Sequence, residues 1–177
     1  MSAQVKHVDD YWKNPSFARR YVFTNVRGIQ ENDGAREFSA TCFMAQMQGV
    51  QYLCPEPTSI LDIGAGHGTR AANLRASLGC RVVAADYSDP MLEEATRIAA
   101  MLPETHRPEI VKADAYDLPF ADGEFDVAVC YGLLMSMEFP ARADIMRVVK
   151  YGLVAIEECE ASMTPDQRDA WLIVKNK

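Results

Sequence analysis

The chain has 177 residues, a net charge of −7 and 49% hydrophobic content, which favours one domain with a core large enough to need no metal or disulfide staple. The negative balance argues against a general nucleic-acid binder, which would present a basic face. No run approaches the roughly 18 apolar residues of a membrane span, and residues 1–30, with Asp9, Asp10, Lys13, Arg19 and Arg20, lack the apolar stretch of a signal peptide.

Residues 1–30 form a polar and aromatic lead-in, followed by the turn residues Glu31-Asn32-Asp33-Gly34. Residues 36–53 read as a helix with Phe38, Cys42, Ala45 and Gly49 on one side, stopped by Cys54-Pro55-Glu56-Pro57. Short apolar runs then alternate with helical stretches. Ser59–Ile63 is a strand, and His67–Leu78 a helix with Ala71, Leu74 and Leu78 on one face. Arg81–Asp86 is a second strand. Asp89–Leu102 is a helix capped by Asp89, opened by Pro90 and striped by Met91, Leu92, Ala95, Ile98, Ala99 and Leu102. Glu109–Lys112 is a third strand, and Phe125–Tyr131 a fourth behind the turn Asp122-Gly123. Residues 141–150 are helical and Leu153–Glu157 is a fifth strand. Thr164-Pro165-Asp166-Gln167 has the pattern of a helix cap, and Trp171–Val174 of a last strand. Strands alternating with helices predict a doubly wound α/β fold, its mostly parallel sheet covered on both faces. In such sheets ligands bind outside the carboxyl ends of the strands, where strand order reverses.

The candidate site residues follow those strand ends. Asp62-Ile63-Gly64-Ala65-Gly66-His67-Gly68-Thr69 leaves a strand and opens a helix. Its three glycines allow a sharp turn and close approach of a ligand, and the helix start favours an anionic group. A plain strand-to-helix turn would carry the same glycines. The dinucleotide fingerprint would put its third glycine at Thr69, whereas it comes one position early at Gly68, which counts against NAD. Asp86 ends the second strand. With Asp89 available as the helix cap, Asp86 is free to accept both hydroxyls of a ribose, and Tyr87 can lie against a planar ring. Asp114-Ala115 follows the third strand, where a carboxylate and a backbone N–H suit the edge of an adenine. Cys130-Tyr131-Gly132 ends the fourth strand. Burial in the core is the plainer reading of Cys130, since no base marks it as a nucleophile. The five cysteines (Cys42, Cys54, Cys80, Cys130, Cys159) are dispersed and read as reduced residues of a cytoplasmic protein. The scattered His7, His67 and His106 give no metal site.

Taken in order, Ile60–Gly68, Val83–Ser88, Lys112–Ala115 with Leu118-Pro119-Phe120, and Phe125–Cys130 resemble the class I (Rossmann-like) S-adenosylmethionine-dependent methyltransferase family, in its small-molecule branch, over roughly residues 55–160. The resemblance implies that the cofactor is S-adenosylmethionine, leaving as S-adenosylhomocysteine. It implies a cofactor site of Asp62, Gly64, Ala65, Gly66, Gly68, Asp86, Tyr87, Asp114, Ala115 and Cys130, with the glycine loop at the methionine part, Asp86 at the ribose and Asp114 at the adenine amine. It implies transfer of a methyl group to a small-molecule acceptor. No catalytic base stands out, and none is required where the acceptor carries no proton to lose. The Asp/Asn-Pro-Pro-aromatic motif of the family's amino-methylating DNA enzymes is replaced by Cys130-Tyr131-Gly132-Leu133, so a nucleic-acid acceptor is not expected.

The whole chain, 1–177, is expected to be a single methyltransferase domain. Residues 1–54 form a lid and helical segment, 55–160 the cofactor-binding core, and 161–177 a C-terminal helix and edge strand. Tyr11, Trp12 and Tyr21 of the lid, with Tyr131, are expected near the cofactor or acceptor, through ring faces. An amphipathic helix packed on the sheet is the bland alternative for the lid. Val149-Lys150-Tyr151-Gly152 has one glycine where the family usually has a proline and two glycines before the fifth strand. About twenty residues remain where the family tends to add two more strands. A short C-terminal edge therefore favours a homodimer that covers it. It also keeps open a non-catalytic or partner-dependent cofactor-binding subunit.

Overall fold

The computed structural model describes residues 33–134, 139–158 and 169–175. Helix α1 (Asp33–Leu53) leads into β1 (Ser59–Ile63), α2 (Thr69–Leu78), β2 (Arg81–Asp86), α3 (Asp89–Ala100), β3 (Glu109–Lys112), β4 (Phe125–Tyr131), α4 (Phe139–Arg147), β5 (Val149–Glu158) and β6 (Asp169–Lys175). The six strands form one sheet in the order β3-β2-β1-β4-β5-β6. All pairs are parallel except β5 with β6. The expected doubly wound, mostly parallel sheet is therefore present.

Strand residues alternate between two cores. Leu61, Ile63, Val83, Ala85, Ala128, Cys130, Leu153 and Ala155 pack with Ile145 of α4. Ile60, Val82, Ala84, Val127, Val129 and Val154 pack with Val50 of α1 and Ala71 and Leu74 of α2. This period-2 split explains why β1, β2 and β4 read as mostly apolar runs: both of their faces are buried, whereas the edge strand β3 is partly exposed. At about 25 cal/mol per Å² of apolar surface removed from water, these two layers are the main stabilising term.

Several boundaries differ from the sequence reading. Helix α2 begins at Thr69, not His67, because Gly66 and Gly68 have φ of 55° and 74°, outside the helical region. Helix α1 begins at Asp33, taking the expected turn residues Asp33 and Gly34 into its first turn. Helix α3 ends at Ala100. Its cap is Ser88, whose Oγ accepts from the Met91 N–H at 3.4 Å, and not Asp89. Asp89 is exposed and pairs with Lys112 at 2.6 Å. Helix α4 ends at Arg147, whose guanidinium binds Asp144 at 2.6 Å and the carbonyls of Phe120 (2.8 Å) and Leu118 (3.0 Å).

Strand β5 consequently starts at Val149, four residues before the expected Leu153. Its register against β4 shifts between Phe125 and Val127. The single glycine of that segment sits where β6 crosses closest. Gly152 has φ of 149°, and a Cβ there would run into the Val174 carbonyl. The expected last strand is present as β6, antiparallel to β5, with Ile156 opposite Trp171. The expected C-terminal helix and the lid residues Tyr11, Trp12 and Tyr21 lie outside the described residues. Among the described residues no helix is long and apolar enough to cross a membrane.

Candidate cofactor site

Strand order reverses at β1, which has β2 on one side and β4 on the other. Chain crossovers leave β1 in opposite directions, so a crevice opens at its carboxyl end. The glycine loop fills the floor of that crevice. Gly64, Gly66 and Gly68 all have positive φ. A Cβ on Gly64 would lie 3.1 Å from Leu133, so this turn accepts glycine for both conformation and space. The Ala65 N–H donates to the Ala85 carbonyl at 3.1 Å, stitching the loop to the end of β2.

Asp86 completes that stitch. Its Oδ2 accepts from the Gly66 N–H at 2.8 Å and its Oδ1 from the Ser88 N–H at 2.9 Å. The expectation that Asp86 is free of local duties is thus corrected. With Ser88 as the helix cap, Asp86 holds both the loop before it and the turn after it. An ionised carboxylate has about four acceptor sites, so these backbone donors leave acceptor capacity for a ribose hydroxyl. Burial pushes the Asp86 carboxyl up from its ordinary pKa, and the N–H groups of Ser88, Gly66 and Tyr87 oppose that rise.

Asp62 is a buried carboxyl with an unsatisfied oxygen. It is 2% exposed, and its Oδ2 has no hydrogen-bond partner. Burial raises its pKa to about 7; the Arg70 guanidinium pulls it down and the Asp86 carboxylate pushes it further up. A buried acceptor of this kind is costly unless a donor reaches it. The folded-state pKa lies above the unfolded one, so the associated stability is complete below about pH 4 and lost as pH rises through about 7. Asp62→Asn should therefore flatten the pH dependence of ligand-free stability. Relative to wild type the variant gains up to about 4 kcal/mol at alkaline pH, while its cofactor affinity falls. Urea titrations at about pH 4 and pH 8 check this; parallel stability curves for the two proteins would sink it.

Beyond Asp86 a cleft of about 650 Å³ is lined by Tyr87, Asp89, Pro90, Glu93, Lys112, Ala113 and Asp114. It runs along the ends of β2 and β3, and the Asp89–Lys112 ion pair is part of its wall. Asp114 is exposed; its Oδ1 accepts the Tyr116 N–H at 2.9 Å, which fixes the carboxylate in its turn. Ala115 is half-buried and packs on the lower core. Cys130 is fully buried in that core, so its side chain is a packing group. Its carbonyl accepts from Gln46 at 3.3 Å. Tyr131 is half-buried, with the Arg70 guanidinium 4.2 Å from its ring centroid.

Sequence reasoning missed Gln46 and Arg70. Gln46 is 0% exposed on α1, and its Oε1 accepts from Arg70 at 3.3 Å. The helical spacing Cys42, Gln46, Gly49, Val50 is the buried face of α1, one step round from the expected Cys42, Ala45, Gly49. A glutamine inside an apolar stripe is the signal that would have found it.

Residues 60–152 match the family described as a methyltransferase domain. The chain belongs to that family. It is 46% identical over 109 residues to a demethylmenaquinone methyltransferase of Clavibacter sepedonicus, covering 60% of this chain and 42% of that one. It is 30% identical over 115 residues to O-methyltransferase resE of Aspergillus sclerotiorum, covering 64% and 44%. Its fold is similar to a crystal structure described as that of a putative S-adenosyl-L-methionine-dependent methyltransferase from Methanococcus maripaludis, with TM-score 0.65, 22% identity, and coverage of 89% and 66%. The chain thus spans less than half the length of these two curated relatives. The methyltransferase fold shared with that structure is the one expected from the ordered strand-end motifs.

Proposed function

We propose that this methyltransferase-family chain binds S-adenosylmethionine across the carboxyl ends of β1 to β4 and transfers its methyl group to a small organic acceptor. The observation that carries the reading is the Asp86 carboxylate, which ties the glycine loop to β2 through Gly66. The donor set fits the cofactor. Asp62 offers a buried, unpartnered acceptor to an ammonium group. The turn's positive-φ glycines leave its backbone bare of side chains, so a ligand can approach it closely. Asp86 can take ribose hydroxyls, and Tyr87 and Asp114 line a cleft at the adenine end.

The cofactor supplies an electrophilic methyl on a sulfonium, so the protein's part is alignment and exclusion of water. Orientation of this kind contributes on the order of 7–11 kcal/mol. In this reading Ala65, Gly68, Ala115 and the main chain of Cys130 frame the cofactor, and Tyr131 with lid residues Tyr11, Trp12 and Tyr21 bounds the acceptor. The chain is one methyltransferase domain (1–54 lid, 55–160 core, 161–177 edge), placed in the cytoplasm and paired as a homodimer over its short edge. A small acceptor is supported by the names of the relatives, which include demethylmenaquinone methyltransferases.

Calorimetric titration with S-adenosylmethionine, S-adenosylhomocysteine and NAD tests the cofactor. Micromolar binding of the first two and none of NAD is the expected result. Well-folded protein that binds neither sulfur compound would overturn the reading. Methyl transfer from labelled cofactor to extractable small molecules then tests the reaction.

A further inference from the structure

Three elements converge on one cation at the rim. Arg70 projects from the first turn of α2, directly after the glycine loop. Its Nη1 donates to Gln46 Oε1 at 3.3 Å, and the Cys130 carbonyl holds the other end of the same amide at 3.3 Å. The face of the guanidinium lies 4.2 Å from the Tyr131 ring centroid. Helix α1, strand β4 and helix α2 thus fix the group from three sides. A planar guanidinium has five N–H donors, so one amide contact and one stacked face leave most of its fork in place for a planar anion.

The second observation is Asp62. Its buried Oδ2 has no hydrogen-bond partner, and no ion pair joins it to Arg70 among the described residues. Arg70 nevertheless lies close enough to act on Asp62 electrostatically. An acid and a base that share one end of a site without pairing are arranged to receive a ligand carrying both charges. The complementary ligand is an α-amino-acid head: its ammonium meets Asp62 and its carboxylate meets the fork of Arg70.

We infer that Arg70, positioned by Gln46 and stacked on Tyr131, is the residue that recognises the carboxylate of the bound cofactor's amino-acid end. The inference rests on the S-adenosylmethionine reading above and adds to it a specificity-determining residue. The arrangement selects adenosyl ligands with an intact amino-acid head over those without a carboxylate. Gln46 is a positioning residue, because it acts through Arg70.

Decarboxylated S-adenosylmethionine, which keeps the sulfonium, the amine and the nucleoside, isolates that contact. Wild-type protein should bind it about 10- to 100-fold more weakly than S-adenosylmethionine, the range of a charge-assisted pair. Arg70→Met should lose the same factor for S-adenosylmethionine and leave decarboxylated ligand within about twofold. Gln46→Leu should reduce the ratio partway. Equal wild-type affinity for the two ligands would overturn the inference even if a variant fails to fold. So would an Arg70→Met variant that loses both ligands alike. If wild-type protein binds no adenosyl compound, the cofactor reading itself fails, which is a different result.

Discussion

Replacing Asp86 by alanine is expected to lower the affinity for S-adenosylhomocysteine by at least about 100-fold, because two charge-assisted interactions are lost at once. The first is with the ribose hydroxyls of the proposed cofactor. The second is internal: the Gly66 N–H and the Ser88 N–H lose their acceptors, so the glycine loop is no longer fixed to the end of β2. Asp86→Asn separates the two. The amide keeps one acceptor oxygen and loses the charge, so an intermediate loss is expected. Titration calorimetry on folded variants reads both. An Asp86→Ala protein that binds within about threefold of wild type would show that neither the loop anchor nor a ribose contact of this carboxylate supports binding.

The largest loss of stability is expected at the opposite end of the sheet. Asp126, at the start of β4, is 5% exposed. Its Oδ2 accepts from the Thr58 N–H (2.7 Å), the Thr58 hydroxyl (2.7 Å) and the Ser59 N–H (3.1 Å), and its Oδ1 from Lys150 Nζ (2.9 Å). One carboxylate thereby joins the starts of β1, β4 and β5. Burial works against its ionisation, but Lys150, Thr58 and Ser59 outweigh burial and hold its pKa at about 2. Asp126→Ala leaves the Thr58 and Ser59 N–H groups without their acceptor, at a cost of about 3 kcal/mol. For a chain of this size that is a fall in Tm of about 10 °C.

The pH dependence has the opposite sign to that of Asp62. A depressed carboxylate stabilises the fold above its unfolded pKa of about 4, and that stability is lost as pH falls through about 2. Wild-type protein should therefore lose roughly 2 kcal/mol between these values that Asp126→Ala does not lose. Thermal melts across acid pH check it. Because Asp126 lies at the amino ends of the strands, the folded variant should bind cofactor normally. A variant that is stable but no longer binds would contradict this separation of fold from site.

Three aspartates illustrate what a sequence can and cannot convey. Asp62, Asp86 and Asp126 are each an aspartate beside an apolar run, yet one is unpartnered, one holds a loop and one is pinned by four donors. Their positions along the chain were legible; their electrostatic states were not. The pKa of each depends on groups from other elements, such as Lys150 of β5 or Arg70 of α2.

By itself the sequence determined the strands and their order of use. Ser59–Ile63, Arg81–Asp86, Glu109–Lys112 and Phe125–Tyr131 fall at the expected residues, because the three inner strands, buried on both faces, carry dense apolar runs and the glycine loop must follow the first of them, while the partly exposed edge strand β3 keeps its short Ile-Val centre. It also placed Asp62, Gly64, Gly66, Gly68, Asp86 and Asp114 at or just after strand ends on one rim. Tertiary structure alone decided the rest. It made Ser88 the cap in place of Asp89, because Ser88 is the extended residue before the first turn and Asp89 already lies within that turn. It started β5 at Val149, because Arg147 ends α4 by binding carbonyls of the preceding loop. It brought Gln46 onto the Cys130 carbonyl, 84 residues away in the chain. Contacts of that separation have no local periodicity to betray them; they exist only once the sheet has closed beneath the helices.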